Sequence, residues 1–401
     1  MDKTKKKQIT VIVVTIAILI VILGLYLGLP VDKRYNNIIF GGLSMQTVIN
    51  TNIINQTDVG NQLYAEVTKV DKLVNPKTES SDVYLINHSA VNKPVKVDNF
   101  TIKLLEISKD VYDKTNGLYN PASYTLVDIW GFSAEKFNPQ VEHTLPNTQD
   151  IEIGKILADK FANIKFIDKD TTDEQIARYK TNATFLVDKV QNTITRTDKC
   201  FIDNPYKEGE KIGAMLDLGG IAKGYAAELC YNVFANSVAK NGLVNIGGNV
   251  YSYNKNWQIG IENPFKNNKL ENGEQETNIF GVITLNNLSV SVSGVYERNY
   301  KIGNDFYHHI INTSIGKPQE ITENSIVMAG VIGKNGAICD AVATSLVLMG
   351  SIENAEQFLA SNYKEEIQAV ILITNSKNYK IIGNIPFTLN EQELVGFTEI
   401  K

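Results

Sequence analysis

At 401 residues, 43% of them hydrophobic, the chain can bury one large core or two ordinary ones. A formal net charge of -5, with lysines and arginines scattered along the chain, excludes the basic surface of a nucleic-acid binder, so no nucleic-acid partner is expected. Cys200, Cys230 and Cys339 are odd in number and far apart, which excludes a disulfide framework and a zinc cluster and leaves at least one thiol free.

The chain opens on "MDKTKKK", which places Lys3, Lys5, Lys6 and Lys7 ahead of an uncharged apolar run, residues 11–29. That run is long enough for a helix to cross the hydrocarbon core of a bilayer. The stretch after it, "GLYLGLPVDKRY", offers neither a small-x-small cleavage site nor a lipidation cysteine, so an uncleaved anchor is expected. The basic cluster stays in the cytoplasm on this reading, and residues from about Val31 onward lie on the extracytoplasmic face of the cell membrane. The expected division is a basic tail (1–10), a transmembrane anchor (11–29), a linker (30–42) and one folded domain (43–401).

Within that domain "SMQTVINTNIIN" alternates like a strand. "FTIKLLEISKDVYDKTNG" has helical spacing and stops at Gly117, and "GYAAELCYNVFANSVAKNG" is a second helix ending in an Asn-Gly turn. "LVNIGGNVYSY", "WQIGIENP" and "FGVITLNNLSVSVSG" read as strands, while "SAEKFNPQVEHTLPNTQD" and "PFKNNKLENGEQETN" read as loops. Strands and helices do not alternate regularly enough for a doubly wound sheet. The expected class is α+β, with mixed or antiparallel sheets, packed helices and one transmembrane helix ahead of them.

Three stretches carry chemistry. In "LDLGGIAKGYAAE", Gly219 and Gly220 permit unusual dihedrals and a close approach to a ligand, and the following helix offers free N–H groups and a positive dipole end. Asp217 is placed to bind a polar ligand group or to cap the turn, and Lys223, one turn into the helix, reaches for a phosphate oxygen. The plainer alternative is a tight strand-to-helix turn with a solvated lysine. In "GAICDAVATSLVLMG", a helix entered through Gly333 and Gly336, Asp340 and Thr344 share a face. A carboxylate and a hydroxyl suit magnesium, although a first-turn aspartate and a core threonine explain the same spacing. In "FYHHIINTSIGKP", alternation turns one of His308 and His309 inward, close to Ser293 and Gly294, where a neutral imidazole can take a proton from an attacking hydroxyl. A hydrogen-bonded core histidine is the alternative.

Together, "SMQTVINTNI", "TNGLYNPASYTLVDIWGF", "LDLGGIAKGYAAE", "LVNIGGNV", "SGVYERNY", "YHHIINTSIGKP" and "DAVATSLVLMG" resemble the ApbE-type FAD:protein FMN transferases in order and over nearly the whole chain after the anchor. The resemblance implies a magnesium-dependent enzyme outside the cytoplasm. Such an enzyme splits the FAD pyrophosphate, moves FMN onto a threonine or serine of an electron-transfer protein and releases AMP. Carried onto this chain, the resemblance makes Gly220, through its carbonyl, and Asp340 and Thr344 metal ligands. It makes Met45, Leu118, Tyr119, Asn120, Asp217, Lys223 and the backbone near Ile311 FAD contacts, and His309 the catalytic base. The acceptors it implies carry an FMN-binding domain: Rnf-type complexes, sodium-pumping quinone oxidoreductases or extracellular flavin lipoproteins. Hydrolysis of FAD to FMN and AMP at the same site, and a non-catalytic flavin carrier, are the alternatives.

The chain departs from the family pattern in three places. Where many relatives read Phe-Asp-Pro-Thr it has Tyr119, Asn120, Pro121 and Ala122, and His-Ile-Ile-Asp-Pro appears as His309, Ile310, Ile311, Asn312 and Thr313. Ala343 stands where some relatives carry a second aspartate before the threonine. Each change removes a carboxylate, so weaker FAD and metal binding is expected.

Overall fold

The computed structural model describes residues 38–44, 47–53, 57–133, 136–161, 164–168, 183–266, 278–390 and 394–400, with the side chains of residues 38–58 and of residue 161 left out of that description. Residues 11–29 and Met45 lie outside it. Among the described residues no helix is long and apolar enough to cross a membrane.

The central sheet has nine strands, ordered in space as the chain makes them. They are β1 (Ile38–Ser44), β2 (Thr47–Ile53), β3 (Gly242–Ile246), β4 (Asn249–Tyr253), β5 (Ser289–Gly294), β6 (Ile326–Gly333), β7 (Ile367–Thr374), β8 (Asn378–Gly383) and β9 (Thr398–Glu399). Every neighbouring pair is antiparallel except β8 with β9. β1 begins inside the stretch expected to be linker, because Ile38 pairs with Ile53. Sequential antiparallel pairing needs only short returns between strands, so the long excursions of the chain are free to build the site.

The helices are α1 (Thr57–Val74), α2 (Asp82–Asn87), α3 (Asn99–Lys114), α4 (Tyr124–Ile129), α5 (Thr148–Phe161), α6 (Gly219–Ala235), α7 (Gly336–Met349) and α8 (Ile352–Asn362). α6 and α7 pack on one face of the sheet. Tyr231 of α6 lies on Tyr251 of β4 with ring centroids 4.6 Å apart, and Thr344 of α7 meets Ser293 of β5. This explains the "SVSVSG" alternation of β5, whose serines face the helices. α1 covers α6, and every residue of β6 is buried, which accounts for its unbroken apolar run.

α6 and α7 cross at backbone contact. A Cβ on Gly224 would lie 2.1 Å from the Gly336 carbonyl oxygen, and one on Gly336 would lie 2.3 Å from that of Gly224. Glycine is required at both positions for want of space. Glu228 of α6 accepts a hydrogen bond from the Gly336 N–H at 2.9 Å, so a carboxylate caps α7 and ties it to α6. Gly333 belongs to β6 and not to the helix entry; Asn335 caps α7, its side chain accepting from Ile338 N–H at 2.8 Å.

α6 also begins earlier than its apolar spacing suggests, at Gly219. Gly219 and Gly220 are thus helical, with no left-handed φ, and the expectation of unusual dihedrals there is corrected. Their glycine character supplies room. The left-handed pair is Gly247 and Gly248, at φ 54° and 86°, in the turn between β3 and β4. α3 ends at Lys114, and Gly117 (φ 84°) turns the chain back, donating its N–H to the Tyr112 carbonyl at 2.8 Å.

Two excursions matter for the site. Between β2 and β3, a small sheet orders strands Pro94–Lys96, Thr193–Arg196, Phe185–Asp188 and Phe166–Asp168, with one parallel pair. Between β5 and β6, an arm carries a hairpin (Asn299–Ile302 with Asp305–His308) and a short turn that pairs Ile311 with Pro318. The α+β expectation holds, with mixed sheets and helices on one face of the main one.

Candidate active site

A cleft of about 670 Å³ opens where the N-terminal turn of α6, the middle of α7, the end of β5, the arm and the segment after α3 converge. That volume is usual for a small-molecule site. Leu118, Tyr119, Asn120, Asp217, Gly220, Lys223, His309, Ile311, Asp340 and Thr344 all line it. The tertiary structure thus brings together every expected site residue except Met45, which is outside the described residues.

The floor follows from the helix crossing. Asp340 is buried at 3% exposure, and its Oδ2 accepts the Gly224 N–H at 2.9 Å. A regular helix directs that N–H to the Gly220 carbonyl, so Asp340 competes with Gly220 for it. Burial raises the Asp340 pKa, opposed by the charge of Lys223 and by the Gly224 and Lys223 N–H groups. Beside it, Thr344 Oγ1 is 3.1 Å from Ser293 Oγ. A Cβ on Gly220 would stand 3.8 Å from Thr344 Oγ1 and 3.6 Å from the Tyr119 ring, so the missing side chain leaves a gap next to the hydroxyl.

This donor set fits a hard divalent cation: a carboxylate, a hydroxyl and a backbone carbonyl, all oxygen, around space that a side chain at 220 would fill. Among the described residues no group of three or more His, Cys, Asp and Glu is placed to hold a metal ion. A cation here would rely on the one carboxylate, with the remaining positions left for water and phosphate oxygens. Ala343, next to Thr344 in α7, is fully buried and adds no oxygen to this set.

The N-terminal turn of α6 faces the same space. Asp217 Oδ1 accepts the Gly219 N–H at 2.8 Å and so braces the turn, while the residue remains on the cleft surface. Burial raises its pKa, and the Gly219 N–H and the charge of Arg298 oppose the rise.

Opposite lies the arm, where adjacent histidines have different surroundings. His308 is fully buried. Its Nε2 is 2.8 Å from the Gln319 carbonyl, which can only accept, so Nε2 carries the proton and Nδ1 receives the Ile310 N–H at 3.3 Å. Burial lowers its pKa to about 4. His309 is half-buried and lines the cleft. Its Nδ1 is 3.3 Å from the Arg298 carbonyl, so the proton sits on Nδ1 and the lone pair of Nε2 is the one left for a substrate. Burial holds its pKa well below 6.5, helped by the positive charges of Arg298 and Lys223. Both imidazoles are therefore neutral near pH 7. Alternation foresaw one inward histidine; instead both are enclosed, His308 by protein and His309 by the cleft.

Two departures from the family pattern meet here. Asn120 Nδ2 donates to Thr313 Oγ1 at 3.2 Å, and Asn120 Oδ1 accepts the Ala122 N–H at 2.9 Å. Asn312 turns away, its amide donating to Gln319 Oε1 at 2.8 Å and its oxygen accepting from Ser314. Sequence reasoning missed Glu297 and Arg298, which also line the cleft. They stand in the quoted "SGVYERNY", and an adjacent acid and base in a glycine-bounded segment was the available signal.

A neutral imidazole, a lysine, a helix N-terminus and a buried oxygen-donor set around one nucleotide-sized cleft define a phosphoryl-transfer type of site on an α+β scaffold. The chain belongs to the ApbE family, whose model matches residues 45–371. Among curated proteins it is similar to the FAD:protein FMN transferase of Klebsiella pneumoniae (strain 342), 24% identical over 332 residues, covering 82% of this chain and 85% of that protein. It is also similar to that of Buchnera aphidicola subsp. Baizongia pistaciae (strain Bp), 26% identical over 332 residues, covering 80% and 82%. Among solved structures it shares the fold of the ApbE protein of Thermotoga maritima, with TM-score 0.62, 20% identity and coverage of 90% of this chain and 99% of that one. The flavin transferase ApbE of Vibrio cholerae matches with TM-score 0.60, 20% identity and coverage of 86% and 96%.

Proposed function

We propose that this ApbE-family enzyme is a magnesium-dependent FAD:protein FMN transferase whose acceptor is a threonine or serine hydroxyl of an extracytoplasmic electron-transfer protein. The observation that carries the reading is the convergence of Asp340, Thr344, Gly220, Lys223 and His309 on one cleft, from segments far apart in sequence. Lys223 and the N-terminal turn of α6 receive the pyrophosphate, and Leu118, Tyr119 and Asn120 form the nucleotide wall. Asp340, Thr344 and the Gly220 carbonyl would hold magnesium. When bound, the ion supplies positive charge against the charge that develops on the leaving phosphate.

The acceptor hydroxyl attacks the FMN phosphorus, an ester P–O bond forms, the pyrophosphate P–O bond breaks and AMP leaves. His309 Nε2 takes the hydroxyl proton, and Lys223 offsets charge on the bridging oxygen. The same site run with water would be a pyrophosphatase; a protein acceptor is favoured because the curated relatives similar over about four-fifths of the chain are named FAD:protein FMN transferases. The apolar run 11–29 and the lysines before it support a membrane anchor that holds the domain beside membrane-bound acceptors. Protease added to intact cells should then release the domain, and protection of the domain would overturn that topology.

The central test is a magnesium titration of AMP release, with the mass of an acceptor bearing an FMN-binding domain as second readout. Wild type should add one FMN to the acceptor, whereas free FMN with an unmodified acceptor would indicate hydrolysis. Asp340→Asn should lose activity by orders of magnitude or need far more magnesium, with little change in metal-free thermal stability. Superimposed curves for wild type and Asp340→Asn would refute the metal site.

A further inference from the structure

We infer that Ser293 is a positioning residue that sets the direction of the Thr344 hydroxyl, an inference that rests on the magnesium reading above. Thr344 has one hydroxyl proton and two lone pairs. To face a cation with a lone pair it must send the proton elsewhere. Two acceptors are within reach: the Asp340 carbonyl, one turn back at 3.5 Å, and Ser293 Oγ at 3.1 Å. The first is at the outer limit for an O–H···O bond and the second is shorter. Ser293 is therefore the better proton acceptor, and it is held in place by the pairing of β5 with β6, in which Ser293 stands opposite Ala329.

The orientation of Ser293 follows from the alternation of β5. Ser289, Ser291 and Ser293 share the face turned to the helices, and only Ser293 also lines the cleft. A second residue of this kind ordinarily changes metal affinity by about 10- to 100-fold when removed.

The experiment measures magnesium affinity by calorimetry on the FAD-loaded protein, together with FAD affinity without magnesium, for Ser293→Ala, Ser293→Thr, Thr344→Val and the double variant Ser293→Ala with Thr344→Val. Ser293→Ala should weaken magnesium about 10- to 100-fold, Ser293→Thr should restore most of it, and FAD affinity without magnesium should stay within about twofold of wild type. In the Thr344→Val background Ser293→Ala should have no further effect, because the hydroxyl it orients is gone. An unchanged magnesium affinity in Ser293→Ala, or an additive loss in the double variant, would overturn the inference. No effect from Thr344→Val would instead overturn the metal reading beneath it. Metal-free melting temperatures of all variants separate loss of fold from loss of affinity.

Discussion

The two walls of the cleft are built by different means. One is the α6–α7 crossing, where helices meet at backbone contact and a single added carbon would force two peptide groups apart. The other is the arm between β5 and β6, which is held by hydrogen bonds of side chains: His308 to Gln319, Asn312 to Gln319, Tyr300 to the Trp130 carbonyl at 3.1 Å and Trp130 to the Gly316 carbonyl at 2.8 Å. The difference teaches which wall tolerates change. A backbone contact has no rotamer with which to adapt, whereas a loop tied by several hydrogen bonds loses them one at a time, each worth about 1 kcal/mol net.

The largest effect should come from the crossing. Gly224→Val places its Cβ 2.1 Å from the Gly336 carbonyl oxygen and should destabilise the protein by about 3 kcal/mol or more, with Asp340 displaced from the cleft. Urea unfolding checks this, and a stability within about 1 kcal/mol of wild type would show that the helices can part. No variant of the arm should match it.

Within the arm, the two histidines separate chemistry from structure. His309→Ala should lower kcat by about 10²- to 10⁴-fold with FAD affinity retained, as expected for loss of a proton acceptor. His308→Ala should act through stability instead. The folded pKa of His308, about 4, lies below the ordinary 6.5, so between these values the unfolded chain takes up a proton that the folded one refuses. Stability is complete above about pH 6.5 and falls as pH drops toward 4, by up to about 3 kcal/mol from this residue. Melting temperatures across that window should fall more steeply in wild type than in His308→Gln. The lowered pKa of His309 also puts the acid limb of its proton uptake below pH 6.5, so kcat/KM should be level above that pH as far as this group is concerned.

The smallest effect tests the substituted pair. Asn120→Ala and Thr313→Val should each cost about 1 kcal/mol, and the double variant should cost less than their sum, because both remove the same hydrogen bond. Strict additivity in urea unfolding would mean that the two positions changed independently.

Much of the molecule was legible in the sequence because its signals are local. The helical spacing of 100–114, the helix read at 336–349 and the strand pattern that runs into β5 each report a surface that the element must bury, and their irregular succession pointed to an α+β chain. The motif residues were legible too, and the cleft collects them. The start of α6 was not, since glycines read as loop formers until the tertiary contact explains them as spacers.

By itself the sequence determined the class of fold, the family and the residue types at the cleft, since each is written in short-range pattern or in motif identity. Only the tertiary structure decided how those residues stand to one another. It assigned opposite tautomers to His308 and His309, because the carbonyls of Gln319 and Arg298 that select them come from elsewhere in the chain. It joined Asn120 to Thr313, two departures from the family pattern that stand in separate motifs of the sequence. It also set Asp340 against the Gly224 N–H and Thr344 against Ser293, contacts between helices and strands whose spacing depends on how closely two backbones can approach.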